Sequence, residues 1–430
     1  MVIDNKDKKV IKSSIERGQN ELACSAEREK IKGSKNLNVP HLRFTEFSGE
    51  WKEELLDRIA TLSKGIGIPK EQLSEDGDPC ILYGELYTKY KSEIIKQVES
   101  KTDIDGSKLK RSKANDVIIP CSGETAVDIA TARCVPFDSI LLGGDLNVIS
   151  LHKYDGAFMS YQLNGKRKYD IARVAQGVSV VHLYGEHLKT IKTYNPTLPE
   201  QQKIAILLSL LDERIATQNK IIEKLQSLIK GLVDELMTVL LKGKLYPFSS
   251  FYIKAGEGGT PTTSVVEYYT EGTIPFIKIE DLSCKYLTNN KDFITELGMQ
   301  KSSAWLIPSK SVIYSNGATI GAISINEYPV CTKQGILGIV PNTNINVEYL
   351  YLLMSSSYFS KEISRIITEG TMKTAYLKDI NHIKCPLPSM AQQKNITNLT
   401  SSIEEKLSIE QELLRFLNLQ KQYLLRMMFI

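Results

Sequence analysis

Residues 196–243 read PTLPEQQKIAILLSLLDERIATQNKIIEKLQSLIKGLVDELMTVLLKG, and this stretch organises the rest of the chain. Its apolar residues recur in alternating steps of four and three, the spacing of a coiled-coil seam, with Gln218 in the one polar slot. The seam consists of Ile204, Leu208, Leu211, Ile215, Ile222, Leu225, Ile229, Leu232 and Leu236. The pattern predicts one long helix that needs a partner helix.

Both ends of this predicted helix carry chemical signals. Thr197 and Glu200 have the spacing of a capping box, and Gly243 follows Lys242 as a stop signal. At about 1.5 Å per residue the helix would be roughly 60 to 70 Å long, which is too long to bury in one small domain. We therefore interpret the stretch as a spacer.

The composition is that of a folded chain with more than one domain. The chain has 430 residues, 42% of them hydrophobic, which is enough for sizeable cores in two or three domains. Because no apolar run approaches the ~20 residues of a membrane span and the N-terminus is too polar for a secretory signal, we expect a cytoplasmic protein and no membrane partner. Seven scattered cysteines favour reduced thiols, and a net charge of +4 permits a polyanionic partner without requiring one.

Local composition and residue pattern divide the chain into five parts. Residues 1–38 are polar and charge-mixed, which predicts a mobile arm. Residues 39–195 and 244–387 contain short β-branched and aromatic runs broken by Gly, Asp and Pro, which is typical of strand-rich domains. Each domain is followed by a long helical segment, 196–243 and 388–430. The predicted fold class is α+β, with two strand-rich domains separated by two long helices.

The second helical segment repeats the first. Residues 388–393 (PSMAQQ) match residues 196–201 (PTLPEQ) at an offset of 192, with Ser389 and Gln392 in the capping positions. The same offset holds along the helix and into the preceding domain, and it drifts to 194 and 196 further upstream, as small loop deletions would produce. The chain is therefore interpreted as a tandem duplication, in which each copy is a domain followed by a helix.

Two such helices on one chain pair most simply in an antiparallel arrangement. That arrangement predicts a dumbbell, with the domains at opposite ends and related by an approximate two-fold axis. Such a molecule can read two separated sites on one ligand, as dimeric DNA-binding proteins do, and duplex DNA is the obvious ligand. Because the two domains differ in sequence, we expect an asymmetric, split target.

Several motifs occur in a specific order. They are the doubled Pro-[Thr/Ser]-x-x-[Glu/Gln]-Gln helix start, residues 41–51 (HLRFTEFSGEW), 259–261 (GTP), 274–282 (IPFIKIEDL) and 317–321 (GATIG). With these motifs the sequence resembles, over nearly its whole length, the specificity subunit of a type I restriction-modification system.

The resemblance implies a division of labour among subunits. The two domains would be target recognition domains that each read one half of a bipartite site in double-stranded DNA, while the helices set the spacing and dock two methyltransferase subunits. Nuclease-translocase subunits would join for cleavage. The chemistry, with S-adenosylmethionine, ATP and Mg as cofactors, would belong to those partners, so no cofactor is expected in this non-catalytic chain. The sequence contains no Gly-x-x-x-x-Gly-Lys-[Ser/Thr] loop to bind the phosphates of ATP, which agrees with this expectation.

Basic residues in predicted loops are the candidate DNA contacts, because they can neutralise phosphates or pair with guanine edges. The candidates are Lys108, Lys110, Arg111, Lys113, Lys166, Arg167 and Lys168 in the first domain and Lys278, Lys285 and Lys373 in the second. A solvated surface is the alternative for each run. Gly370 and Thr371 lie in a predicted turn where a backbone amide could approach a DNA phosphate. The matched pair Arg173 and Arg365 is expected to hold each domain on its helix.

Two other functions stay open at the level of sequence. One is a stand-alone DNA-binding or adaptor protein that oligomerises through its coiled coil. The other is an unrecognised nuclease with Glu280 and Asp281 near Lys285, although a structural role at a strand end is favoured for this acidic pair. No metal site is expected, since the five histidines show no His-Glu-x-x-His spacing and no cluster with cysteine.

Overall fold

The computed structural model describes residues 38–177, 180–367 and 373–430. The predicted N-terminal arm therefore lies outside the described residues except for Asn38, and so do Gly370 and Thr371. The described residues divide into two compact units, one within residues 38–214 and 417–430 and one within residues 215–416.

The first unit contains a strand-rich domain. Its strands are β1 Lys52–Leu55, β2 Ala60–Lys64, β3 Leu73–Ser74, β4 Asp78–Ile81, β5 Lys101–Thr102, β6 Lys110–Arg111, β7 Asp116–Pro120, β8 Ser122–Gly123, β9 Arg133–Val135, β10 Leu141–Leu142, β11 Leu146–Leu151, β12 Val181–His182 and β13 Lys192–Asn195. Its short helices are α1 Leu56–Ile59, α2 Glu85–Thr88, α3 Ala126–Ile129, α4 Gly156–Asn164, α5 Lys168–Val174 and α6 Gly185–Lys189.

The centre of this domain is an antiparallel sheet in the order β2-β11-β7-β9. Val117, Ile118 and Ile119 of β7 are all buried, so both faces of the sheet are covered, and this β-branched run is one of those that predicted a strand-rich domain. One face packs against α4 and α5, and the other packs against a second sheet in the order β3-β5-β4-β10-β6. The antiparallel pair β1–β13 leads directly to the long helix.

The second unit is built from the same kinds of element. Its strands are β14 Leu245–Pro247, β15 Tyr252–Glu257, β16 Ile274–Ile277, β17 Tyr286–Leu287, β18 Asp292–Ile294, β19 Val312–Ser315, β20 Ile323–Asn326, β21 Cys331–Thr332, β22 Ile336–Pro341 and β23 Lys384–Pro386. Apart from the two long helices, its helices are α8 Glu296–Gln300, α9 Val347–Ser355, α10 Ser357–Ile366 and α11 Leu377–Ile380. The main sheet has the order β15-β22-β19-β20-β17, a smaller sheet has the order β18-β16-β21, and β14 pairs with β23 as β1 pairs with β13.

Two long helices complete the fold. Helix α7 spans Leu198–Leu240 and α12 spans Met390–Met427, both inside the predicted helical segments. None of the described helices has a stretch long and apolar enough to cross a membrane. The predicted class, α+β with two strand-rich domains and two long helices, is confirmed.

The helices run antiparallel within each unit. In the first unit, Ile204 and Leu208 share a core with Met428 and Phe429 near the other end of the opposite helix. In the second unit, Gln218 donates to the backbone oxygen of Glu410 at 3.0 Å, and further along Val233 packs in one core with Ile396. Residue numbers rise on one helix as they fall on the other, so the predicted antiparallel pairing is confirmed inside each unit.

The predicted seam is correct for the first part of α7 and shifts near its end. Ile204, Leu208, Leu211 and Ile222 are buried, together with Gln218 in the polar slot. Towards the C-terminus the buried residues are Val233 and Met237, while the predicted Leu232 and Leu236 are only half-buried. A straight helix drifts ~20° per heptad from a strict 3.5-residue repeat, which turns the next position along into the core.

Candidate nucleic-acid interface and helix attachments

The start of α7 is held by a buried ion pair. The carboxylate of Glu200 accepts two hydrogen bonds from the Arg43 guanidinium, both at 2.7 Å, and a third from the Trp51 indole at 3.3 Å. The backbone carbonyl of Thr197 accepts from the N–H groups of Glu200 and Gln201 at 3.0 Å. The prediction that Thr197 and Glu200 form a capping box is therefore wrong. The Glu200 carboxylate binds Arg43 and Trp51 instead and ties the start of α7 to the segment before β1.

The start of α12 has the predicted capping box. The backbone N–H of Ser389 donates to the Gln392 side-chain oxygen at 3.0 Å, and the N–H of Gln392 donates back to the Ser389 hydroxyl at 3.4 Å. These two bonds satisfy donors that a helix start otherwise leaves unpaired. The prediction for Ser389 and Gln392 is confirmed.

A lysine bridges two buried carboxylates in the first unit. The Lys421 ammonium of α12 lies 2.6 Å from Glu93 and 2.7 Å from Asp212 of α7, and the Tyr161 hydroxyl donates to Asp212 at 2.7 Å. Burial raises the pKa of Glu93, with the Asp212 carboxylate adding to the effect and Lys421 opposing it. Burial also disfavours the charged form of Lys421, but the two carboxylates outweigh it and raise the pKa of this lysine. The cluster ties both long helices to the first domain.

A second lysine plays a comparable part in the second unit. The Lys285 ammonium lies 2.6 Å from Glu404 of α12 and 2.5 Å from Glu348 at the start of α9. Glu404 occupies the position in the repeat that Asp212 holds in the first copy, 192 residues earlier. The two carboxylates of this cluster are more exposed than those around Lys421, at 20 and 25% against 6 and 10%.

The first predicted DNA-contacting run lies at the edge of the second sheet of domain one. Lys108 and Lys113 are exposed, while Lys110 lies half-buried in β6. Arg111 is exposed and shares its guanidinium between Asp78, at 2.6 Å, and the backbone oxygen of Ser139, at 3.0 Å. Lys108 and Lys113 thus offer exposed charge to a polyanion, and DNA contact by the run stays a prediction.

The second predicted run lies beside α5 and is less accessible. Arg167 donates to the backbone oxygen of Ile430 at 3.0 Å, lies 3.2 Å from Asp170 and stacks on the Tyr194 ring. Burial together with the positive charges of Arg167 and Arg426 lowers the pKa of Lys166. Lys168, at the first turn of α5, is half-buried. Because Arg167 is occupied within the chain, we remove it from the proposed DNA-contacting set.

The three candidates of the second domain have different surroundings. Lys278 pairs with Asp292 at 2.8 Å, and this hydrogen bond raises the pKa of the lysine. Lys285 is occupied by Glu348 and Glu404, so it also leaves the proposed set. Lys373 is exposed at the edge of the described residues.

We expected the matched arginines to hold each domain on its long helix, but the structure shows that they do not. Arg173 is 77% exposed and pairs with Asp170 three residues earlier on α5, and Arg365 is 71% exposed and pairs with Glu362 on α10. Exposed pairs at this spacing contribute little to stability. The expected packing role is therefore wrong, and both guanidinium groups are accessible at equivalent positions of the repeat.

Of the acidic pair in the second domain, one residue has a structural role. Asp281 accepts from the backbone N–H of Lys278 at 2.9 Å and caps the short turn Ile279–Asp281, whereas Glu280 is exposed. Within residues 38–177, 180–367 and 373–430, no three His, Cys, Asp or Glu side chains are grouped so that they could hold a metal ion.

Several attachment residues had no role in the predictions from sequence. Arg43, Glu93 and Lys421 meet their partners only through long-range folding, but one signal was present in the repeat. Lys421 matches Ile229, so it places a charge where the other copy has a seam residue. A charge at a seam position indicates a buried ion pair, because an unpaired charge there would cost several kcal/mol.

Comparison with known proteins agrees with this architecture. A family model described as "Type I restriction modification DNA specificity domain" matches residues 49–227 and 251–418. The solved S subunit of a type I restriction-modification system from M. genitalium superposes with a TM-score of 0.56 at 20% identity, covering 91% of this chain and 99% of that one. This likeness shows a shared fold.

Two curated relatives match shorter stretches. The specificity subunit of the type I restriction enzyme MjaIX from Methanocaldococcus jannaschii is 30% identical over 154 residues, which are 34% of this chain and 35% of the relative. That of EcoR124I/EcoR124II from Escherichia coli is 30% identical over 179 residues, 39% of this chain and 43% of the relative. The chain thus spans less than half the length of each.

Proposed function

Because the chain belongs to the type I restriction-modification DNA specificity family, we propose that it is the DNA-recognition subunit of a type I restriction-modification complex. The observation that carries this proposal is the double match of the family model, once to each copy of the repeat. Each match covers one strand-rich domain and most of the helix that follows it. In this proposal each domain reads one half of an asymmetric bipartite site.

The DNA-contacting set in this proposal differs from the one predicted from sequence, because Arg167 and Lys285 are left out. It keeps Lys108, Lys110, Arg111, Lys113, Lys166, Lys168, Lys278 and Lys373, and it gains Arg173 and Arg365 because both are exposed. Loss of a phosphate contact reduces the slope of log affinity against log salt by about 0.9. Lys108→Gln with Lys113→Gln should therefore flatten the salt dependence of DNA binding, whereas Lys192→Gln, an exposed lysine paired with Glu53, should not.

The outer faces of the long helices support a second part of the proposal, the docking of protein partners. Five of the six exposed large apolar side chains on α7 are Ile206, Leu210, Ile221, Leu228 and Val239, and the sixth is Leu198 at the start of the helix. At about 100° per residue these five lie within a sector of about 60°, on the side away from the seam. An exposed apolar stripe of this length is typical of a protein-binding surface.

Helix α12 carries a corresponding stripe. Four of its six exposed large apolar side chains, Ile409, Phe416, Leu419 and Tyr423, lie within about 80° of one another; the other two are Met390 and Leu399. The 192-residue shift brings Ile409 and Phe416 into the sector of the α7 stripe and places Leu419 and Tyr423 beside it. Two stripes on overlapping faces of the repeated helices fit two copies of one partner. We assign them to two methyltransferase subunits, with nuclease-translocase subunits joining the assembly.

Docking can be tested with a pair of matched variants. Leu228→Glu places a charge in the stripe of α7, and Gln226→Glu adds the same charge at an exposed position on another face of that helix. Leu228→Glu should abolish co-purification with the methyltransferase, whereas Gln226→Glu should retain it. Equal behaviour of the two variants would remove the stripe from the proposal.

The chemistry is assigned to the partners. S-adenosylmethionine would serve the methyltransferase, and ATP with Mg would serve the nuclease-translocase. This chain would recognise the target sequence in the DNA. The sequence contains no Gly-x-x-x-x-Gly-Lys-[Ser/Thr] loop, and this supports the assignment of ATP binding to a partner.

The function as a whole is tested by mapping N6-methyladenine across the genome of the source cell with and without this gene. We expect one bipartite motif to lose its methylation when the gene is deleted and to regain it on complementation. An unchanged map, together with site-specific DNA binding by the isolated chain, would instead support a stand-alone DNA-binding protein.

A further inference from the structure

One pair of buried glutamines makes two matching hydrogen bonds in both copies, and Gln393 also donates to the backbone oxygen of Asn344 at 3.0 Å. Gln201 and Gln393 lie 192 residues apart, in the first turn of α7 and of α12, and their exposed fractions are 1% and 0%. Each side-chain NH₂ donates to the carbonyl of the proline five residues earlier, Pro196 at 2.8 Å and Pro388 at 2.9 Å. Each side-chain oxygen accepts from a backbone N–H of the neighbouring domain.

The acceptor bonds reach equivalent points of the two domains. Gln201 accepts from the N–H of Asp155 at 2.9 Å, and Gln393 accepts from the N–H of Asn346 at 2.8 Å. Asp155 and Asn346 are the residues whose side chains cap α4 and α9. The glutamines therefore link the first turn of each long helix to the first turn of the inner helix of its own domain.

Only a side chain with a donor and an acceptor at one end makes this bridge. Glutamate would bring a negative charge against the proline carbonyl, and methionine would leave a buried N–H and a buried carbonyl unpaired. The inner helices are firmly anchored, since Phe158, Tyr161, Tyr349 and Leu353 are all buried. The bridge thus joins two rigid elements at the point where the chain passes from domain to helix.

The other attachments differ between the copies. The third residue of the long helix is the ion-paired Glu200 in the first copy and the capping Gln392 in the second, and the bridging lysine comes from α12 in one case and from the domain in the other. The glutamine bridge is retained with the same partners although the surrounding contacts have changed. A shared geometric requirement explains such retention better than stability alone.

We propose that Gln201 and Gln393 are positioning residues that fix the angle at which each recognition domain leaves its long helix, and thereby the spacer length that the protein accepts between its two half-sites. The inference rests on the proposed bipartite recognition of DNA. A domain of this size is about 30 Å across, so a tilt of about 7° at the bridge moves its far side by roughly one base-pair rise of 3.4 Å.

The test uses the full chain with its methyltransferase and duplexes in which the two half-sites are separated by spacers of different length. The variants are Gln201→Glu, Gln393→Glu and the double substitution. Gln202→Glu is the matched control, because it adds the same charge at the exposed neighbouring position. Binding to duplexes that carry one half-site is measured in parallel.

Wild type should prefer one spacer length sharply. In the double variant we expect single half-site affinity to stay within about two-fold, while discrimination against a spacer longer by one base pair falls about tenfold, the equivalent of one hydrogen bond. Gln202→Glu should behave as wild type. Unchanged spacer discrimination in the double variant, or an equal loss for all duplexes, would overturn the proposal.

Two further outcomes are decisive. If the glutamate variants do not fold, Gln201→Met and Gln393→Met replace them, and failure of these as well would make the bridge a folding element and overturn its positioning role. If wild type shows no preference for any spacer, the proposed bipartite function fails instead, and the two failures are thus distinguished.

Discussion

The two long helices begin with nearly the same sequence, yet the same position does different work in each. Glu200 is buried and holds Arg43 and Trp51, whereas Gln392 closes a capping box with Ser389. The lysine clusters differ in the same way, because Lys421 bridges carboxylates that are more deeply buried than those around Lys285. The duplication has kept the backbone positions and let the charges diverge. The first unit consequently depends more on buried ions than the second.

The largest effect is expected from Lys421→Met. The substitution removes the cation that bridges Glu93 and Asp212, which costs about 3 to 5 kcal/mol of unfolding free energy. Urea denaturation followed by tryptophan fluorescence would report it, because Trp51 lies in the first unit. Lys406→Met, on the same helix but 59% exposed, is the matched control and should barely change the midpoint. Equal midpoints for both variants would contradict the buried cluster.

A smaller effect is expected from Glu200→Gln, which gives the first helix start the side chain of the second. The Arg43 guanidinium is only 13% exposed and loses its carboxylate, so we expect a loss of about 3 kcal/mol. The reciprocal Gln392→Glu keeps an acceptor at the third position of α12 and should be nearly neutral. Thermal unfolding of the two variants measures the contrast, and a reversed order would refute it.

Lys285→Met should be milder than Lys421→Met. Glu348 and Glu404 are 25% and 20% exposed, so water compensates part of the lost pairing, and we expect about 1 to 2 kcal/mol. Unfolding of the two variants in parallel gives the comparison directly. A loss as large as that of Lys421→Met would mean that the two clusters are energetically equivalent.

The smallest effect concerns pH. Because the folded pKa of Glu93 is raised above the usual value of 4.5, its protonated form favours the fold. That contribution is present below pH 4.5 and is lost as the pH rises through the folded pKa. Glu93→Gln should therefore gain stability relative to wild type as the pH rises from about 4 to about 8 in urea titrations. A constant difference across this range would exclude the raised pKa.

Local patterns predicted the elements of the fold well. The alternation of apolar residues located α7, and runs such as Ile274–Ile277 marked strands that the structure contains. The offset of 192 revealed the duplication, because equal residues at equal spacing need no knowledge of the fold. Ser389 and Gln392 were also predictable, since a capping box is local in sequence.

The attachments were not predictable in the same way. Glu200 has the spacing of a cap, but Arg43 lies 157 residues away in sequence and competes for its carboxylate. Lys285 and Arg167 had the charge of DNA contacts, but acids and carbonyls from distant segments occupy them. The choice between an internal partner and a phosphate depends on tertiary distances. Spacing along the chain contains no such information.

The central claim is that each domain reads its own half of one split site. The most direct measurement is selection of bound duplexes from random DNA by the full chain with the proposed methyltransferase partner, for wild type and for Lys108→Gln, Lys110→Gln, Lys113→Gln combined. We predict two unlike short motifs at a fixed separation for wild type, and weakening of one motif alone in the variant. A single continuous motif, or equal weakening of both halves, would contradict the account.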